Sequence, residues 1–116
     1  MSDRVQQVNS LIRTELSKIL VREVDFSKNI LVTITQVQTS SNIIQANVYI
    51  SVIPEEQTDK VLQVLNKIIY SIQQNLNKRL RMRPVPKIRF LKDNRTSEAA
   101  KVEELLEEIK DEDRSD

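Results

Sequence analysis

Six cations lie between positions 78 and 89: Lys78, Arg79, Arg81, Arg83, Lys87 and Arg89. From Gln73 to Arg95 the chain holds eight cations against one acid, Asp93, a net charge of +7. Such a strip suggests the binding of a phosphate-rich polyanion. Arginine suits it because the planar guanidinium takes phosphate at two points and stacks on unpaired bases. From Thr96 to Asp116 nine acids stand against three cations, a net charge of −6. The overall charge of +1 therefore averages a basic strip with an acidic tail. A solvated helix face followed by a solubilising tail has the same composition. Cations such as Arg81 and Arg83 are also favoured at a helix C-terminus by the helix dipole. Charge alone leaves these readings side by side.

Other chemistries lack their residues. There is no histidine, no cysteine and no glycine. The usual zinc sites need the first two, as do Cys-His and Ser-His nucleophiles. Phosphate cradles and dinucleotide fingerprints need glycine. Carboxylates, lysines and hydroxyls remain, and nine of the seventeen acids fall in the tail. We expect no enzyme, no metal and no cofactor. Apolar runs such as Lys18-Ile19-Leu20-Val21 and Ile68-Ile69-Tyr70 are too short to span a bilayer, so no membrane partner is expected. The opening residues have no apolar signal core. With no cysteine to cross-link, a cytoplasmic protein is expected. A chain of 116 residues suits one domain.

The elements that must hold the strip are set by periodicity. Asp3 can cap a helix whose apolar stripe is Val5, Val8, Leu11, Ile12, Leu16, Ile19 and Leu20, ending near Glu23. Ile30 to Val37 is β-branched and suits a strand. Thr39-Ser40-Ser41-Asn42 is a turn cluster. Ile44, Ala46, Val48, Ile50 and Val52 then alternate with Gln45, Asn47, Tyr49 and Ser51, which gives the second strand of an antiparallel hairpin. Pro54 stops it, and Thr58 or Asp59 can cap the next helix. Val61, Leu62, Val64, Leu65, Ile68, Ile69, Ile72, Leu76 and Leu80 mark one long helix or two in series, reaching to Arg81 and ended by Pro84 and Pro86. Lys87 to Lys92 is a third strand with Ile88 and Phe90 inward and Lys87 and Arg89 outward. A short helix from about Ser97 carries Ala99, Val102, Leu105, Leu106 and Ile109. Residues 111–116 are expected to be disordered. The fold class is α+β, a three-stranded sheet covered by helices, in the KH-like type II order α-β-β-α-α-β plus a C-terminal helix. The domain spans 1–95, and 96–116 form the acidic helix and tail. If the long helix reaches Arg81, the spacings 78/81 and 79/83 put four cations on adjacent faces of one turn, close to Lys87 and Arg89.

Several strings together resemble the ribosome-binding factor A family. They are Arg4-Val5 and Leu16-Ser17-Lys18-Ile19-Leu20, Val32 to Val37, Ser40, Ile43 and Ala46 to Ser51. Leu80-Arg81-Met82-Arg83 with Pro86-Lys87-Ile88-Arg89-Phe90 and Asp93 is the most recognisable, and Val102 with Leu105-Leu106 fits the family's C-terminal element. The resemblance runs from about Arg4 to Ile109. It implies a KH-like, non-catalytic protein that binds the small ribosomal subunit and its rRNA in late maturation; a monomer is expected. It further implies roles in rRNA processing and cold adaptation, with ribosomal proteins and a release GTPase as partners. The RNA-binding residues would be Lys78, Arg79, Arg81, Arg83, Lys87 and Arg89. The alternative is a protein-interaction module of the same fold whose strip meets an acidic partner. Two departures from pattern stand out. Ordinary KH domains clamp nucleic acid with a GxxG loop, which a chain without glycine lacks. The family's Ala-x-Gly kink between central helices is replaced by Ile68-Ile69-Tyr70-Ser71, leaving a kinked and a straighter helix both open. A smaller difference is Asn42, which stands where the family usually has aspartate, a near-equivalent turn residue.

Aromatic residues are few: Phe26, Phe90, Tyr49 and Tyr70. Phe90 reads as core, and Tyr49 reads as a surface tyrosine or a base-stacking one. This scarcity favours recognition of a folded RNA surface by shape and charge over a stacking platform. Cutting the chain after Arg95 should lower the melting temperature, because the late apolar stripe would lose its packing. It should also strengthen non-specific RNA binding at low salt. Cutting after Lys110 should change neither. Melting curves and low-salt RNA titrations of both truncations check this.

Overall fold

A computed structural model describes residues 3–94. Arg95, the expected C-terminal helix and the expected disordered tail lie outside the described residues. The chain order is α1 (Asp3–Glu23), β1 (Leu31–Thr39), β2 (Gln45–Ile53), a 3-10 turn (Glu55–Gln57), α2 (Thr58–Lys67), α3 (Ile69–Arg79) and β3 (Lys87–Lys92). β1 and β2 form the antiparallel hairpin that the alternation requires. β3 returns parallel to β2 after the two-helix crossover, giving the sheet order β1-β2-β3. This is the KH-like α-β-β-α-α-β arrangement.

One face of the sheet is buried. Ala46, Val48, Ile50 and Val52 of β2 point into the core with Ile88 and Phe90 of β3. All three helices supply that same core: Ile12, Leu16 and Ile19 from α1, Val61 and Leu65 from α2, Ile72 and Leu76 from α3. The α1 stripe is buried as its spacing predicts, except Leu11, which is 48% exposed.

β1 keeps its apolar residues inward by a bulge. Ile34 pairs with Ile50 and Gln36 with Tyr49, so Thr35 has no partner of its own. The extra residue shifts the alternation by one. Ile34 and Val37, three apart, can then both face the core. The hairpin turn is closed without glycine. Ser40 Oγ accepts from the N–H groups of Ile44 and Gln45, at 3.2 Å each, and donates to Asn42 Oδ1 at 2.7 Å. Ile43 takes the left-handed conformation, φ 59°, a strained state for a β-branched residue. Its side chain packs against the core, which offsets part of the strain.

Two local expectations change, and one left open is decided. Neither Thr58 nor Asp59 caps α2. A 3-10 turn after Pro54 leads directly into it, with Gln57 at the cap position. Thr58 is instead the buried first residue of the helix, its hydroxyl donating to the Glu55 carbonyl at 2.6 Å. The central helix is two helices, broken at Ile68, whose φ of −111° and ψ of 15° leave the helical region. The break survives without alanine or glycine because the Ile68 N–H is shared between the carbonyls of Val64 and Leu65, at 3.3 and 3.2 Å. It lets α2 lie on β2 and β3 while α3 turns to meet α1 and β3. Finally, α3 stops at Arg79, before Arg81. Leu80 is extended, φ −93° and ψ 140°, and its fully packed side chain ties the exit to the core.

Leu76 is completely buried. Leu76→Ala should therefore cost about 2–5 kcal/mol, whereas Leu11→Ala should stay within about 0.5 kcal/mol. Urea unfolding of the two variants checks both values.

Candidate nucleic-acid interface

The segment after α3 is held at its far end by one side chain. Gln73 Nε2 donates to the Pro86 carbonyl at 3.1 Å, and Gln73 Oε1 accepts from the Ile88 N–H at 2.9 Å. Its carboxamide thus fixes the start of β3 against α3. The Lys87 N–H donates to the Ile44 carbonyl at 2.9 Å, joining the same point to the hairpin turn. Pro86 is buried. The basic residues are displayed from this braced loop. Gln73 carried no mark in the sequence beyond a polar place in a helix, so periodicity could not have found it.

Five of the six candidate cations are exposed: Lys78, Arg81, Arg83, Lys87 and Arg89. None of the five is in an ion pair among the described residues. They do not form the single helical cluster that their spacing suggests, because the helix ends at Arg79. Lys78 sits in the last turn of α3, in the helix layer. Lys87 and Arg89 alternate with buried Ile88 and Phe90, so they project from the opposite side of the sheet. Arg81 and Arg83 lie on the loop between. The cations follow the chain around the β3 edge of the domain. Arg83 also braces its loop, its Nη1 donating to the carbonyls of Met82 at 2.6 Å and Leu80 at 3.3 Å.

Arg79 is turned elsewhere. Its Nη1 lies 3.3 Å from Glu15 Oε1 of α1, and Lys18 approaches the other carboxylate oxygen at 3.4 Å. Its Nε is buried without a hydrogen-bond partner. Its head is thus committed to joining α3 to α1. Burial pushes the Glu15 carboxyl up, but hydrogen bonds from Lys18 and Arg79, together with their charges, outweigh it and hold the group below its ordinary 4.5. Lys92, on the core-side parity of β3, pairs with Glu55 at 3.5 Å.

Among the described residues no group of histidine, cysteine or acidic side chains is placed to hold a metal ion, and no helix is long and apolar enough to cross a membrane. A surface of exposed cations on a braced edge can bind phosphates.

A carboxyl whose folded pKa is depressed contributes stability above its unfolded pKa and loses it as pH falls through the folded value. Glu15→Gln should therefore flatten the fall in melting temperature as pH drops below about 4.5, and Arg79→Ala should do so partly. Thermal melts from pH 6 to about pH 3 check the sign. The same Arg79→Ala variant should keep its affinity for polyanions better than Arg81→Ala in a parallel titration.

A family model described as ribosome-binding factor A matches residues 4–106. Ribosome-binding factor A of Thermodesulfovibrio yellowstonii is 30% identical over 107 residues, covering 92% of this chain and 91% of that protein. That of Vibrio campbellii is 34% identical over 113 residues, covering 96% and 84%. The crystal structure of ribosome-binding factor A from Thermus thermophilus shares the fold with a TM-score of 0.65 at 22% identity, over 76% of this chain and 94% of that one. A homology model of the Thermus thermophilus factor, fitted into an electron-microscopy map of a 30S complex, gives a TM-score of 0.62 at 22% identity, over 73% and 90%. The family model takes in the hairpin, the broken helix and the whole basic edge, and relatives match along most of their length: this chain belongs to the ribosome-binding factor A family.

Proposed function

We propose that this protein is a non-catalytic assembly factor that binds the rRNA of the small ribosomal subunit during late maturation. Lys78, Arg81, Arg83, Lys87 and Arg89 supply the phosphate contacts. The observation that carries this is the run of five exposed cations, without ion-pair partners among the described residues, around one braced edge. A cation that gives up no ion pair loses little on meeting a phosphate, and released counterions drive the association. The Thermus factor fitted into a 30S complex supports the choice of partner. Binding at this stage would aid rRNA processing and matter most in the cold, where misfolded RNA rearranges slowly. A GTPase or a ribosomal protein would act in its release. Arg79 belongs to this set by its position in the sequence, but its ion pair with Glu15 makes it a weaker contributor.

Lys78 and Arg81 give the cleanest test, since Arg83 also holds its own loop. Lys78→Glu with Arg81→Glu should leave the melting temperature unchanged and sharply weaken co-sedimentation with immature small subunits. Neutralising each one singly should lower the slope of log affinity against log salt by about one. Undiminished sedimentation of the double variant would exclude this edge from the interface. A partner that proves to be an acidic protein would restore the interaction-module reading.

A further inference from the structure

The sheet has a second face, which none of the helices among the described residues covers. The inward residues Ala46, Val48, Ile50 and Val52 meet all three helices in one core, so the odd-numbered side chains of β2 stand on the other side. Register extends that face across the sheet. Gln38 of β1, Asn47 of β2 and Arg89 of β3 form one row. Gln36, Tyr49 and Leu91 form the next. Gln45 and Lys87 close the end toward the hairpin turn. Strands about 4.8 Å apart, with same-face residues about 6.8 Å apart along each, make a flat surface a few bases wide.

The chemistry of the face is unusual for a solvated surface. It is rich in carboxamides, each offering a donor and an acceptor side by side. The edges of unpaired bases offer the complementary pair. No hydrogen bond among the described residues engages the Asn47 carboxamide, though the residue is half-buried between its neighbours. The Tyr49 hydroxyl donates to Gln38 Oε1 at 3.3 Å. That bond fixes the ring beside the row and leaves both Gln38 N–H donors for another acceptor. The Asp93 carboxylate, just past the end of β3, accepts a hydrogen bond from the Thr35 hydroxyl at the bulge. The charge of the two rows and their end comes from Lys87 and Arg89. Amides flanked by cations fit RNA, not a basic protein. A flat sheet cannot enter the deep groove of an A-form helix, so the fit is to unpaired bases.

We propose that the open sheet face reads unpaired bases of RNA: Gln38 and Asn47 hydrogen-bond base edges, Tyr49 stacks on a base, and Lys87 and Arg89 hold the adjoining phosphates. The proposal rests on the rRNA-binding reading and assigns to it a second surface with a different task. The basic edge supplies affinity, and this face supplies the choice of bases.

The test uses the full chain, purified immature small subunits, and base-specific chemical probing of their rRNA with binding measured at several salt concentrations. Gln38→Ala with Asn47→Ala should weaken binding about tenfold or more, the loss of one or two base contacts. The salt slope should stay the same, because no charge is removed. A few unpaired bases should lose protection while backbone protection remains. Tyr49→Leu should expose a subset of the same bases. The Lys78→Glu, Arg81→Glu variant should show the converse, a smaller salt slope with the base pattern intact at low salt. Unchanged affinity and base protection in the double alanine variant overturns the proposal and leaves the basic-edge reading standing. Loss of contacts to a ribosomal protein in place of rRNA bases overturns it in favour of a protein partner. A lower melting temperature of the free double variant also overturns it, because the amides would then serve the fold. Failure of the unsubstituted protein to bind subunits removes both readings together.

Discussion

A strand in a sheet can hide only every second side chain, and here three strands hide theirs on the same side. β2 is the central strand and sets the pattern: Ala46, Val48, Ile50 and Val52 are all but inaccessible, while Gln45, Ser51 and Ile53 are exposed. All three helices must therefore lie on one face to bury this set. β1 meets the requirement through the bulge at Thr35. β3 meets it with Ile88 and Phe90, which sends Lys87 and Arg89 outward. The location of charge at this edge is a consequence of where apolar residues had to go.

The crossover from β2 to β3 carries most of the remaining constraint. A straight helix of about 22 residues would run about 33 Å, longer than the sheet it covers. The break at Ile68 lets α2 and α3 each find an apolar surface. The return to β3 is then fixed by Leu80 in the core and by the Gln73 carboxamide bridging Pro86 and Ile88. Both devices do without glycine. The hairpin turn does too, with a left-handed Ile43 held by burial and by Ser40 and Asn42. The strained turn lies against the start of β3 through the bond from Lys87 to Ile44. Strain and the basic edge thus share one corner of the domain.

Electrostatics divides the cations by task. Arg79, half-buried, is engaged by Glu15 and joins α3 to α1. Lys92 pairs with Glu55 beside α2. The others stay on the rim, where an ion pair would add little to stability and where a phosphate can reach them. The loop that carries Arg81 and Arg83 is anchored at its ends, by buried Leu80 at one and by the Gln73 carboxamide on Pro86 and Ile88 at the other. Binding to such an edge costs less ordering than binding to a mobile basic loop.

The order α-β-β-α-α-β, the hairpin, the inward residues of β2 and β3 and the basic strip were all readable from the sequence. Each depends on local periodicity, which a linear chain carries in full. The strings from Val32 to Val37 and from Leu80 to Asp93 also pointed to the family. Other features depended on packing between distant segments. The helix could end at Arg79 and not Arg81 only because Leu80 finds the core. Arg79 leaves the cationic rim because α1 brings Glu15 to it, 64 residues away. The break at Ile68 needs no alanine or glycine once two helices must reach different partners. The division of the cations around an edge, and the open face of amides beside them, exist only when three strands are in register. Periodicity shows that a side chain alternates, but only the assembled sheet decides which neighbours share its face.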